Sequence, residues 1–158
     1  MVQTADSGYI ITGFSTDQGP GSQDVVLLKT DLYGQQEWVR HYGGSGAEQG
    51  HALRQTSDMG FLVVGYTSSF GLGFDDVYIL KTDSSGNYQW SKTLGGPSTD
   101  KAYAISAEFN NNFYVVGSTY SFGAGSNDVL VIRMDVAGNI IWRKTLLRYP
   151  LVISKSME

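Results

Sequence analysis

The residues best placed to do chemistry in this chain are acidic and aromatic. Asp76 and Asp128 each close a glycine-bearing stretch, SFGLGFDD (69–76) and SFGAGSND (121–128), and DQGPGSQD (17–24) stands in the same register. Carboxylate oxygens are the donors hard cations prefer, so Asp76 and Asp128 are the candidate metal ligands, with calcium as the ion. The competing reading is an aspartate that ties down its own turn through backbone hydrogen bonds. A phosphate cradle is excluded, because a strand rather than a helix follows each stretch.

Glu48 and Asp100 occupy matching positions. Paired carboxylates can serve as acid and base in glycoside hydrolysis; the alternative is that both are solvated charges on a rim. The two histidines, His41 and His51, lie in no nucleophile motif, and the chain has no cysteine. No catalytic residue is assigned, and the expectation is a protein that is not an enzyme. The aromatics Phe70, Phe74, Tyr120 and Phe122 sit in or beside the glycine stretches. Exposed rings among polar neighbours suit a glycan or a protein ligand, so these four are the candidate ligand-binding residues. Packing of Phe70 and Phe122 onto an adjacent unit is the alternative.

Bulk composition narrows the classes. With 158 residues, 41% of them hydrophobic and 16% charged, the chain can bury a core. A net charge of -4 with 11 Lys and Arg argues against nucleic acid. No apolar run approaches the ~20 residues of a membrane span. The first residues, MVQTADSGYI, lack the pattern of a signal peptide.

What must position these side chains is a repeat. Sliding the chain by 52 residues aligns it without gaps, and positions 1–44 match 53–96 at 17 of 44 places. Identical in all three copies are Asp31/Asp83/Asp135, Gly34/Gly86/Gly138 and Trp38/Trp90/Trp142, together with Gly13/Gly65/Gly117 and Asp24/Asp76/Asp128. The repeats run approximately over 1–44, 45–96 and 97–146, and 147–158 forms a tail. In the middle copy β-branched and aromatic runs predict four strands, at 49–56, 60–67, 76–82 and 87–94. Asp-x-x-Gly between the last two suits a tight hairpin, with Asp capping the turn and Gly at positive φ. Leu62 to Val64 and Val77 to Leu80 are apolar on both faces, which predicts sheets stacked face to face. The recurring Trp would fill the wedge between splayed sheets. Gly65 would mark the place where neighbouring sheets converge. Lys29/Lys81/Arg133 and Asp31/Asp83/Asp135, two apart in sequence, are expected as a solvated or inter-sheet ion pair.

TSDMGFLVVGYTSSFGLGFDDVYILKTDSSGNYQWSKTLGG (56–96) and its copies resemble the Gly- and aromatic-rich β-propeller repeats of bacterial and archaeal surface and secreted proteins. Ser85-Gly86 and Trp90 also look like the tryptophan-docking repeat of quinoprotein-type propellers. The resemblance implies an all-β fold of three four-stranded antiparallel blades. It implies an extracellular or cell-surface setting if the chain is part of a longer protein. Three blades are half of a six-bladed ring, since propellers run from 4 to 8. The expected partner is therefore a second copy, a homodimer closed by the tail residues Leu151, Val152 and Ile153. The expected function is a non-enzymatic module for assembly and for ligand or protein recognition. A glycan-acting or quinoprotein-like enzyme fragment is the alternative.

Overall fold

The computed structural model describes residues 1–124 and 126–146; the tail residues Leu151, Val152 and Ile153 lie outside that range. The fold is all-β, with three four-stranded antiparallel sheets. The first contains β1 (Val2–Gln3), β2 (Tyr9–Ser15), β3 (Asp24–Thr30) and β4 (Gln36–Tyr42). The second contains β5 (Glu48–Gln55), β6 (Phe61–Thr67), β7 (Asp76–Thr82) and β8 (Tyr88–Leu94). The third contains β9 (Asp100–Ile105), β10 (Asn112–Thr119), β11 (Asp128–Asp135) and β12 (Ile140–Leu146). Each sheet is a meander in which sequence neighbours pair. The predicted strands fall within a residue of those observed.

The sheets stack in chain order, and the second is enclosed. Every residue of β6 and β7 is buried. One face, with Phe61, Val63, Tyr78 and Leu80, packs on Ile10, Val25 and Leu27 of the first sheet. The other face, with Leu62, Val64, Val77 and Ile79, packs on Ala102, Phe113, Val115 and Leu130 of the third. Burial alternates along β10 and β11, because among the described residues one face of the third sheet has no neighbour.

Two features repeated in register lock the stack. Gly34, Gly86 and Gly138 take φ of 81°, 78° and 85°, as the hairpin reading expects. Asp31 Oδ1 accepts from the N–H groups of Tyr33 and Gln35, Asp83 Oδ1 from those of Ser85 and Asn87, and Asp135 Oδ1 from that of Asn139. The glycine has a second reason that sequence reasoning did not supply. A Cβ on Gly86 would lie 2.9 Å from the Trp38 indole of the preceding sheet, and one on Gly138 2.8 Å from Trp90. The tryptophan of one sheet thus covers the hairpin glycine of the next, and the Tyr42 hydroxyl donates to the Gly86 carbonyl.

Four expectations need correction. Trp142 does not fill a wedge between sheets as Trp38 and Trp90 do. Among the described residues no fourth sheet follows the third, so no hairpin glycine lies beneath its indole. Its ring lies 6.0 Å from that of Tyr114 in its own sheet, with Lys144 Nζ 5.4 Å from its centroid. Gly65 does not mark a convergence of sheets. A Cβ there would collide with the Gln49 carbonyl of its own sheet, where β5 bulges between Gly50 and Ala52. Gly50 is the point of approach instead, facing Thr12, Val25 and Val63. The repeated lysines are not solvated and do not pair with the hairpin aspartates. Lys81 is 2% exposed, and its Nζ lies 2.9 Å from Asp58 in the same sheet and donates to the Thr82 carbonyl. Lys29 pairs likewise with Asp6 and Glu37. Glu48 and Asp100, expected on a rim, are fully buried.

Gly34 has the same positive φ as Gly86 but nothing within 4 Å of its Cβ position. Gly86→Ala is expected to cost about 1 kcal/mol of unfolding free energy from backbone strain and about 1–2 kcal/mol more because the Trp38 indole must move. A total loss near about 1 kcal/mol for Gly86→Ala in urea unfolding would show that Trp38 does not press on Gly86. Acid gives a second test. Hydrogen bonds from the Thr4 hydroxyl, Lys29 and the Gly8 N–H pull Asp6 from its ordinary 3.8 down to about 2. A lowered carboxylate stabilises the fold fully above its unfolded value, and that stabilisation is lost as pH falls through the folded one. Unfolding midpoints should therefore drop between about pH 4 and 2, and Asp6→Asn should flatten part of that drop.

Candidate functional site

The loops between second and third strands and the links between sheets gather at one end of the stack. There Phe74, Asp75, Ser98, Thr99, Lys101 and Tyr120 line a cavity of about 410 Å³ between the second and third sheets. The backbone joins its walls: the Asp100 N–H donates to the Asp75 carbonyl at 2.6 Å, and the Tyr120 N–H to that of Thr99 at 3.0 Å. Lys101 Nζ lies 2.9 Å from Asp75 Oδ2 and 3.8 Å over the Tyr66 ring. That pairing fixes a cation and an anion at the floor, while Phe74 (78% exposed) and Tyr120 (49% exposed) stand open at the rim. Rings beside fixed polar groups can stack on a flat apolar face and bind hydroxyl or amide groups at its edge.

Of the four aromatics singled out in sequence, the structure brings Phe74 and Tyr120 together here. Phe70 lies elsewhere, stacked on Tyr78 with centroids 6.1 Å apart. With Pro20, His41, Tyr42, Gly43, Tyr88 and Ser91 they line a second cavity of about 530 Å³ between the first and second sheets. Burial raises the Tyr78 phenol above its usual range, so it stays a neutral donor there. Phe122 carries the Arg143 guanidinium 4.0 Å above its ring, and that contact occupies its face. Asp76 and Asp128 stay apart, each opening the third strand of its own sheet. Asp76 Oδ2 accepts from Leu72 and Gly73 at 2.8 and 3.2 Å. Among the described residues no three His, Asp or Glu side chains converge as metal ligands. His51 donates from Nδ1 to the Ala102 carbonyl at 2.7 Å and stacks on Tyr103.

Sequence reasoning missed Asp75 and Lys101, although a signal was there. The repeat has Gln23 and Gln49 at the corresponding places, and those two side chains hydrogen-bond at 2.6 Å. Both columns change together, from amide pair to ion pair, and only the second junction has the charged floor.

No protein-family model matches the chain. Over 119 residues it is 29% identical to the regulatory protein FlaEY of Caulobacter vibrioides, in an alignment covering 67% of this chain and 12% of that protein. The chain thus spans only a small part of that relative's length. No helix among the described residues is long and apolar enough to cross a membrane.

Exposed rings contribute little to folding. Phe74→Ala should leave the unfolding free energy within about 0.5 kcal/mol of the parent. A loss above about 2 kcal/mol, the scale of a core deletion, would place Phe74 in packing rather than at an open rim.

Proposed function

We propose that this chain is a non-enzymatic β-propeller module that assembles with a second copy into a six-bladed ring and recognises a ligand through its loop end. One observation carries the assembly. The open face of the third sheet, with Tyr114, Val116 and Val129 exposed, corresponds 52 residues earlier to the face of the second sheet formed by Leu62, Val64 and Val77. That face of the second sheet is covered by the third. The open face of the first sheet, with Ile11, Val26 and Leu28, corresponds to Val63, Tyr78 and Leu80, which the first sheet covers. Each open face therefore has the chemistry of one that a neighbouring sheet already buries. A second copy set head to tail repeats the existing junction twice and closes a two-fold ring. In that ring Trp142 would meet Gly34 of the second copy, the one hairpin glycine with nothing over it among the described residues. Uncovered apolar faces of this kind are what soluble monomers avoid. The tryptophan-on-glycine contact supports the tryptophan-docking type of repeat.

The competing arrangement covers the same faces with further repeats of one longer polypeptide, and the length of the FlaEY relative favours it. For recognition, the cavity with Phe74, Tyr120 and the Asp75–Lys101 floor suits a glycan or a peptide.

Light scattering on a sizing column separates these arrangements. The ring predicts the mass of two chains, reduced to one by Val116→Asp. A parent chain that runs as one copy, or as open-ended aggregates, contradicts the dimer and favours the longer polypeptide. A glycan and peptide array should show saturable binding that Phe74→Ala and Tyr120→Ala weaken tenfold or more, about 1.4 kcal/mol; silence across the array contradicts recognition.

A further inference from the structure

Among the described residues, four carboxylates at the two junctions between sheets are buried with no basic partner. Asp24 and Glu48 open β3 and β5 at the first junction; Asp76 and Asp100 open β7 and β9 at the second, 52 residues on. Each is at most 1% exposed. The ion pairs among the described residues use Lys29, Lys81 and Lys101, and none of them includes these four.

Within each junction the acids converge. The Cβ position of Gly95 touches Asp76 Oδ1 and lies 2.8 Å from Asp100 Oδ2; that of Gly43 touches Asp24 Oδ1 and lies 2.5 Å from Glu48 Oε2. Glycine at both places leaves the space in which the two carboxylates meet. Part of each carboxylate is fixed by the loops. Asp24 Oδ2 accepts from the Gly21 N–H at 3.1 Å, and Asp76 Oδ2 from those of Leu72 and Gly73. Asp100 Oδ2 accepts from the Gly96 N–H at 2.9 Å and the Ser121 hydroxyl at 2.6 Å. Glu48 accepts from the Gly44 N–H and the Thr67 hydroxyl, both at 2.6 Å, and from the Ser69 N–H at 3.2 Å. The other oxygens, Asp24 Oδ1, Asp76 Oδ1 and Asp100 Oδ1, are buried and accept nothing. Side-by-side buried anions are strongly disfavoured unless something positive joins them.

We propose that each junction binds a divalent cation, Ca²⁺ by preference, through Asp24 with Glu48 and through Asp76 with Asp100. Two carboxylates match the charge of a divalent ion, and an all-oxygen donor set selects a hard one. Backbone carbonyls and water complete the shell, since among the described residues no third acidic side chain joins either pair. Ca²⁺ accepts such irregular shells and sheds its water more readily than Mg²⁺. The site ties the loop of one sheet to the first strand of the next. The competing occupant is a proton held between the two carboxyls.

The test is equilibrium dialysis of the chelator-stripped chain against radiolabelled Ca²⁺, with thermal unfolding in CaCl₂, MgCl₂ and EGTA. Two sites per chain, one removed by Asp24→Asn and one by Asp76→Asn, together with a higher melting temperature in CaCl₂ than in EGTA, support the proposal. Asparagine keeps an oxygen for the loop N–H groups, so the loops retain their turns. No saturable uptake at millimolar Ca²⁺ by the parent chain overturns the proposal without reference to any variant. Uptake that survives both substitutions also overturns it, by placing the ion elsewhere. No uptake combined with a raised melting temperature for Asp76→Asn overturns it too, and assigns the pair to a shared proton.

Discussion

Everything in this molecule depends on sheets burying one another's faces. A single repeat of this kind, apolar on both faces, cannot bury those faces by itself and needs a neighbour stacked on each. The second sheet solves this by being covered on both sides, and its β6 and β7 are buried along their whole length. Among the described residues the first and third sheets are each covered on one side only. The repeat thus stabilises through nearest-neighbour junctions, as other repeat architectures do, and its end units carry unmet apolar area.

The junctions also carry polar devices that fix how one sheet sits on the next. Trp38 and Trp90 cover the glycines of the following hairpins, Gly86 and Gly138, and hold the outer parts of the sheets in register. On the loop side, Asp24 with Glu48 and Asp76 with Asp100 meet where the third strand of one sheet faces the first strand of the next. Apolar contact is non-directional, so these contacts specify an angle that the core alone leaves open. The buried lysines serve a different purpose, stapling the turn at Asp58 or Asp6 to the third strand within one sheet.

Much of this was legible in the chain because the repeat supplies its own alignment. Positive φ at Gly86, the capping role of Asp83 and the two-faced burial of β6 all read directly from residue type and position. What failed to read was partnership across space. Lys81 lies two residues from Asp83 but reaches Asp58, because the turn after β5 folds back over its Nζ. Glu48 and Asp100 look like rim charges because sequence cannot show that the next sheet closes over them. Trp142 reads like its two counterparts, yet among the described residues no sheet follows for it to dock on, and its ring lies beside that of Tyr114. Gly65 answers a bulge in its own sheet, and a glycine inside a strand signals a bulge and a close approach alike, so its type alone does not choose between them. The candidate cavity was half legible. Its aromatics stood out by type, whereas Asp75 and Lys101 stood out only as a paired departure from Gln23 and Gln49.

The central claim is that the open face of the third sheet is an interface of the same kind as the covered faces of the second. Hydrogen exchange across a dilution series tests it most directly. At high concentration the amides of β10 and β11 should be protected as strongly as those of β6 and β7, and on dilution the third sheet should lose protection while the second keeps it. A third sheet that exchanges faster than the second at every concentration, with no response to dilution, would contradict the claim.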